Sequence, residues 1–433
     1  MRKLLFLFLC LPIACLAQDV TEKVSAEDSL KSVKALDYFN ELIPNYPTNA
    51  EYYFERGRAK LTLKDFNGAL ADLNKAIALN YNNEMAYVDR GRLKDQLNDY
   101  NGAIADYDQA IMVKPTGVAY YNRGLANFRL NNFAVAVDDY TKAIALDAKN
   151  GNFYLQRGLV KKSLNDIKGA LADIDMAVIA NPKDAGYYYE RAIVKTMLDD
   201  NKGALADFNQ SFLLSPPNYA EAFYNRGNTK RNVGDPKGAI ADFDMALKLK
   251  PTLTDAISNR AGTKYDLKDY AGAIADANIA LAANPNDASA LLNRGLAYER
   301  LNRNKEAIVD LTAYLTKNNT DAGAYFILAN TYLKLTSYQS AIDGYDKTLA
   351  LDNKNAQAYF NRAFSKRYLN DFTGAIDDYT KAIALNPKNS EAYNNRGLVK
   401  HLMKNDAAAC PDFKKAAQMG NKAAMENAIN MCH

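Results

Sequence analysis

Histidine, cysteine and long apolar runs are all scarce in this chain, and each scarcity removes a class of function. The 433 residues hold two histidines, His401 and His433, and neither sits in a triad or a metal-ligand pattern; histidine-based nucleophilic catalysis and zinc sites of the usual spacing are therefore not expected. There is no phosphate-binding Gly-rich loop ending in Lys-Ser/Thr, no Gly-x-Ser-x-Gly elbow and no dinucleotide fingerprint. Asp65-Phe66-Asn67-Gly68 and Asp99-Tyr100-Asn101-Gly102 share only the opening of a calcium loop and lack its later ligands, so they read as hairpin turns. No metal, no cofactor and no catalytic residue is expected, and the protein is read as not an enzyme.

A charge excess is missing as well. Lys and Arg number 54 against 50 Asp and Glu. Signs alternate along the chain, so the basic face that nucleic acid requires is absent. The 29 tyrosines recur at framework spacing, which points to core packing and not to base stacking. The one marked apolar run, Leu4 to Cys15, follows Arg2 and Lys3 and precedes Cys15-Leu16-Ala17. This is the layout of an export signal, residues 1–17, cleaved after Ala17. The competing reading, a lipid anchor at Cys15, has only a poor lipobox in Leu11-Pro12-Ile13-Ala14. No later run of about twenty apolar residues exists to form an integral membrane span. The expected location is periplasmic or secreted.

What the chain has in abundance is periodicity. Arg-Gly or Arg-Ala recurs at Arg56, Arg90, Arg123, Arg157, Arg191, Arg226, Arg260, Arg294, Arg362 and Arg396, a period of 34 residues, with Leu328-Ala329 in the one vacant phase. Each period holds two apolar-periodic stretches joined by a short turn, the pattern of a helical hairpin. Eleven units result: 50–83, 84–116, 117–150, 151–184, 185–219, 220–253, 254–287, 288–321, 322–355, 356–389 and 390–423. Residues 18–49 are a linker and a degenerate N-terminal half-repeat, with Ala35 to Pro47 in the register of a second helix. Residues 424–433 end a C-terminal capping helix that starts near Lys422.

The slots within the unit resemble the tetratricopeptide repeat. Its first aromatic is filled by Tyr53, Tyr87, Tyr120, Tyr154, Tyr188, Phe223, Tyr325, Tyr359 and Tyr393, though Ile257 and Leu291 depart from it. Ala69, Ala103, Ala136 and their equivalents through Ala409 fill the crossing slot, where only a small side chain lets two helices approach. Pro115, Pro182, Pro216, Pro251, Pro285 and Pro387 stand where that family stops the second helix. The resemblance implies an all-α fold, a right-handed superhelical solenoid of about eleven helix-turn-helix repeats with a C-terminal capping helix. It also implies a concave groove, lined by first helices, that receives protein or peptide segments.

Two slots that are apolar in the family are charged here. The Arg series is one; the other carries Lys60, Lys94, Lys161, Lys195, Lys230, Lys264, Lys366 and Lys400. An Asp recurs at one phase of the second helices, and the unit without the Arg, at Leu328, is also without the Asp, at Gly344. Structural ion pairs between the two helices are therefore expected, Arg56–Asp72, Arg90–Asp106, Arg226–Asp242 and Arg362–Asp378 among them, with apolar packing in 322–355. Cys410 and Cys432, the cysteines beyond the signal, are expected to form a disulfide that holds the capping helix.

An asparagine and lysine clamp for a terminal carboxylate is not evident: Asn122, Asn225, Asn259, Asn293, Asn361 and Asn395 precede the Arg slot without lysine beside them. The candidate peptide-binding stripe is Leu292, Leu296, Phe326, Phe360 and Phe364, edged by Arg300, Lys334 and Arg367, because apolar anchors inside a charged rim suit peptide capture. The expected function is a non-catalytic scaffold or adaptor in the bacterial cell envelope. Glycan or cell-wall binding is the alternative, and neither the partner nor the oligomeric state is set by the sequence.

Overall fold

The computed structural model describes residues 26–432. The signal segment 1–17, Cys15, the first part of the linker and His433 lie outside them. Two compact units divide after Pro217. The first holds α1 (Ala26–Leu42) and five helix pairs: α2 (Ala50–Thr62) with α3 (Phe66–Ala78), α4 (Glu84–Gln96) with α5 (Tyr100–Val113), α6 (Gly117–Arg129) with α7 (Phe133–Leu146), α8 (Gly151–Ser163) with α9 (Ile167–Ala180), and α10 (Ala185–Met197) with α11 (Asn201–Leu214). The second holds six pairs: α12 (Ala220–Asn232) with α13 (Pro236–Leu249), α14 (Thr254–Asp266) with α15 (Tyr270–Ala283), α16 (Ala288–Arg300) with α17 (Asn304–Lys317), α18 (Ala322–Lys334) with α19 (Tyr338–Leu351), α20 (Ala356–Tyr368) with α21 (Phe372–Leu385), and α22 (Ser390–Leu402) with α23 (Asp406–Gln418). A last helix, α24 (Lys422–Met431), follows them. No strand occurs among the described residues.

Local chemistry sets the helix starts. Asp65, Asp99, Asp166, Asp200, Asp235, Asp269 and Asp371 each cap a second helix by accepting the N–H of the glycine three residues on. A Cβ on Gly68 would lie 2.1 Å from Asp65 Oδ2. The Asp-x-x-Gly segments are thus helix starts in which glycine makes room for the capping carboxylate. The residue before the cap takes a left-handed conformation, which asparagine tolerates well, as at Asn98, Asn131, Asn165, Asn302 and Asn370. Thr336, at φ 56°, is a β-branched residue in that strained position.

Between the helices of a pair, the crossing alanines Ala69 to Ala409 are fully buried. One large side chain on every second helix except α15, where Ala277 takes the slot, fills the space beside them: Leu73, Tyr107, Tyr140, Ile174 and Phe208 in the first unit; Phe243, Leu311, Tyr345, Tyr379 and Phe413 in the second. Burying each contributes about 1.5–3 kcal/mol. The glycine after the ladder arginine admits that side chain, since a Cβ on Gly91 would stand 2.6 Å from the Tyr107 ring.

The pair α18 and α19 is built differently. Leu328 joins Leu292, Leu296, Leu311, Leu315 and Ala324 in one apolar cluster, and Gly344 lets α19 close on Ala329. Tyr345 Oη donates to Asn330 Oδ1 at 2.7 Å, and Asn361 Nδ2 donates to the same oxygen at 2.8 Å. At the other end of the register, α1 starts nine residues before the Ala35 read from the pattern. Its Asn40 accepts from Arg56, so α1 seats against α2 as a second helix does.

Candidate functional site

A polar ladder fixes the geometry on which any binding surface rests. Arg56 donates from Nε and Nη2 to the two oxygens of Asp72, at 2.8 and 2.7 Å. Arg90–Asp106, Arg226–Asp242 and Arg362–Asp378 repeat this bidentate geometry. The lysine one turn on from each arginine closes on the same carboxylate, as with Lys60 at 2.7 Å from Asp72 and Lys366 at 2.9 Å from Asp378. Each of these aspartates is nearly fully buried and carries two cations. The hydrogen bonds to Asp72 hold the Arg56 guanidinium above its ordinary pKa against the opposing effect of burial.

Sequence reasoning missed the third arm of the ladder. The remaining Nη1 of the arginine reaches the second helix of the preceding repeat: Asn40 from Arg56, Asn74 from Arg90, Asp108 from Arg123, Thr141 from Arg157, Asp175 from Arg191, Asp244 from Arg260, Asn278 from Arg294, Asp346 from Arg362 and Thr380 from Arg396. The acceptor lies two residues after the aspartate slot of the preceding repeat, a slot held by Tyr38 before Asn40 and by Gly344 before Asp346, and that spacing was available as a signal. Unit 117–150 departs from the pattern, because Asn127 replaces the lysine. Burial pushes the Asp139 carboxyl above its usual range; Arg123 opposes this by charge-assisted hydrogen bonds, and Asn127 adds only a neutral donor at 3.4 Å.

The candidate stripe separates into two parts. Leu292 and Leu296 do not line an open face: they are 5% and 1% exposed and form the core between α16, α17 and α18. Phe326 and Phe360 are half-buried, with ring centroids 6.0 Å from Tyr345 and 5.6 Å from Tyr379. The outer part is aromatic and basic. Phe364 packs on Tyr368 at 4.9 Å, Tyr368 stacks on Tyr338 at 4.7 Å and 7°, and the Arg367 guanidinium sits 5.5 Å from the Tyr368 ring. Arg300 donates to Tyr265 Oη at 3.2 Å, and Lys334 pairs with Glu299. Tyr338 and Tyr368 were absent from the sequence-derived stripe.

Three of the six phase-matched asparagines, Asn259, Asn293 and Asn361, are spent on the scaffold. Asn259 Nδ2 donates to Asn228 Oδ1 and Tyr224 Oη, and Asn293 donates to Ser258 O. Cys410 and Cys432 are joined by a disulfide, and α24 also holds α22 through Asn427 Nδ2 and Asn394 Oδ1 at 2.9 Å. His401 Nδ1, near the end of α22, faces Asp406 at the start of α23. Among the described residues no group of three or more His, Cys, Asp or Glu could hold a metal ion, and no helix is long and apolar enough to cross a membrane.

With the repeat geometry established, family models account for its spread along the chain. Models described as tetratricopeptide repeat match residues 50–83, 88–151, 220–253 and 260–322, and one described as TPR repeat matches 365–404. The chain belongs to the tetratricopeptide repeat family. Similar solved structures include MamA, 29% identical over 38% of this chain and 96% of MamA, with a TM-score of 0.36. Another is YrrB, described as a TPR protein with an unusual peptide-binding site, 25% identical over 43% of this chain and 97% of YrrB, TM-score 0.38. A tetratricopeptide repeat protein from Parabacteroides merdae ATCC 43184 is 22% identical over 57% of this chain and 98% of its own, TM-score 0.40. No curated protein matches. Repeat solenoids of this kind serve as extended surfaces for protein interaction.

Proposed function

We propose that this TPR protein is an exported, non-catalytic scaffold of the bacterial cell envelope that holds segments of other proteins on the face formed by α16, α18 and α20. The observation that carries this reading is the open wall of Phe364, Tyr368 and Tyr338 beside Arg300, Lys334 and Arg367, where rigid aromatic area meets charged groups at the surface. Export is supported by the N-terminal signal pattern and by the Cys410–Cys432 bond, since such bonds persist in oxidising compartments. A lipid anchor at Cys15 is the minority form of the same reading.

The test is capture from an envelope extract with residues 18–433, beside a variant carrying Arg367→Ala and Tyr368→Ala. Tyr368 is exposed and Arg367 partly so, and circular dichroism checks that both proteins are folded. A protein retained by the parent and lost by the variant is the expected result; equal retention of every protein by both would remove this face from the reading. One observation favours the glycan alternative: the parallel Tyr338–Tyr368 stack leaves Tyr368 49% exposed, a platform suited to a sugar ring. Cosedimentation of the parent with insoluble cell wall, abolished by Tyr368→Ala and unaccompanied by any protein, would select that alternative.

A further inference from the structure

The C-terminal ends of the first helices carry charge in most repeats, and beyond the ladder lysines, which share an aspartate with the arginine, three of the cations there each have an acid from a neighbouring first helix. Arg129 pairs with Asp95, Lys162 with Glu190 at 2.9 Å, and Arg231 with Asp266 at 2.6 Å. The ends of α16, α18 and α20 break that balance. Arg300 and Lys334 share the single carboxylate of Glu299, which is 12% exposed while their own side chains are 55% and 43% exposed. Arg367 has no carboxylate partner among the described residues and is held instead against the Tyr368 ring. Lys366, beside it, is committed to Asp378. Asp371, in the following turn, spends its carboxylate on the Gly374 N–H. Exposed Arg300 and Lys334 and the partly exposed Arg367, on three successive first helices, thus stand over one sheltered acid.

We propose that this edge binds an acidic segment of a partner protein, with side-chain carboxylates of the segment meeting Arg300, Lys334 and Arg367. The inference rests on the scaffold reading and adds to it the chemistry of the bound segment. Charge complementarity selects the occupant, because an acidic segment supplies the anions that Glu299 alone does not, whereas a basic one is repelled. The aromatic wall contributes placement. Stacked on Tyr368, the Arg367 guanidinium is held before the ligand arrives, so less side-chain freedom is lost on binding. Packed helices lie roughly 8–10 Å apart, so the three cations address groups spread over several residues of ligand and not one carboxylate.

The probe is a fluorescein-labelled, C-terminally amidated peptide of alternating Glu and Ser, compared with versions carrying Gln or Lys in place of Glu. Binding to residues 18–433 is followed by fluorescence anisotropy. The Glu probe is expected to bind, to weaken as NaCl is raised, and to lose about tenfold or more in affinity to the variant Arg300→Gln, Lys334→Gln, Arg367→Gln. Lys347→Gln, on the exposed side of α19, is expected to leave it unchanged. Lys334→Gln alone gives a partial loss and guards against a fold defect in the triple variant. A Gln probe that binds as tightly as the Glu probe, or a triple variant that binds as the parent does, overturns the proposal. A captured envelope protein still lost with Tyr368→Ala would then leave the scaffold reading standing by itself.

Discussion

Two arginines on the same ladder should differ in worth, and the difference is set by what each leaves behind. In unit 151–184, Arg157 grips Asp173 through Nε at 2.9 Å and Nη2 at 2.7 Å, while Lys161 holds the same carboxylate at 2.8 Å. Arg157→Met therefore removes charge-assisted hydrogen bonds but leaves Asp173 compensated, for a cost of about 2 kcal/mol. In unit 117–150, Asp139 is 0% exposed and no cation besides Arg123 lies within salt-bridge distance among the described residues. Arg123→Met strands that carboxylate in the interior, while Asp108 at the third arm is exposed enough to be hydrated, and should cost about 3–5 kcal/mol. Both arginines also stack on a tyrosine, Tyr120 at 5.5 Å and Tyr154 at 5.9 Å, so that loss largely cancels in the comparison. Adding Asp139→Asn to Arg123→Met should recover stability, whereas adding Asp173→Asn to Arg157→Met should not, because Lys161 then loses its acid. Repeat arrays need not unfold in one step, so the readout is native-state hydrogen exchange of α6 to α9 alongside urea unfolding. The pH dependence has a definite sign. The folded-state pKa of Asp139 lies above its unfolded value of 3.8, so the folded state takes up the proton first as pH falls, and the stability this supplies is lost as pH rises through the folded value. The Arg123→Met deficit should thus be largest where Asp139 is ionised and shrink as acid protonates it. Equal costs for the two arginines, the reverse order, or a failure of Asp139→Asn to recover stability would refute the argument.

Three further expectations follow from particular contacts. Thr336→Asn relieves a β-branched residue at φ 56° and should stabilise the second unit by about 1 kcal/mol, seen as a higher thermal midpoint. Gly91→Ala drives a methyl to 2.6 Å from the Tyr107 ring and should cost about 1–3 kcal/mol in urea unfolding, with little change in helix content by circular dichroism. Cys432→Ser opens the link across 22 residues, which in the chain-entropy account removes about 3 kcal/mol, and α24 amides should exchange faster in hydrogen exchange.

How far these features could be read from the sequence depended on whether a side chain answers to its own repeat or to its neighbour. The helix pairs were legible because each marker has one steric cause inside the repeat: Ala103 at the crossing, Gly91 under the Tyr107 ring, Asp99 capping over Gly102. The Arg–Asp link was legible for the same reason, since Leu328 and Gly344 change together within one pair. Leu292 and Leu296 were misplaced because helical phase gives a direction but not what stands there. Leu296 has the phase of Asn330 and Phe364, yet Leu311, Leu315 and Leu328 close over it while Phe364 stays partly exposed, tilted against Tyr368. The cation excess at Arg300, Lys334 and Arg367 was hidden for a related reason: these residues look like Arg129 or Arg231 until it is known which of them has its own acid.

The third arm of the ladder carries this reasoning furthest, because it places half of a contact in one repeat and half in the next. Arg90 satisfies Asp106 within its pair and Asn74 in the repeat before it, so the same guanidinium stabilises a repeat and couples it to its neighbour. In a quasi-one-dimensional stack those are the two quantities that set stability, the intrinsic term and the interface term. The acceptor slot bears this out at its margins. It is filled by Asn40 on α1, a helix with no first helix of its own among the described residues, and by Thr312 where the following residue is Leu328 and no arginine reaches back. In the last repeat, where α24 follows in place of another arginine-bearing helix, the slot holds Lys414, a donor where every other repeat keeps an acceptor. Polarity at that position tracks whether an arginine arrives from the next repeat, with Thr312 the one acceptor retained without its donor; the ladder is accordingly a device for coupling repeats, and the chain gives it up where coupling ends.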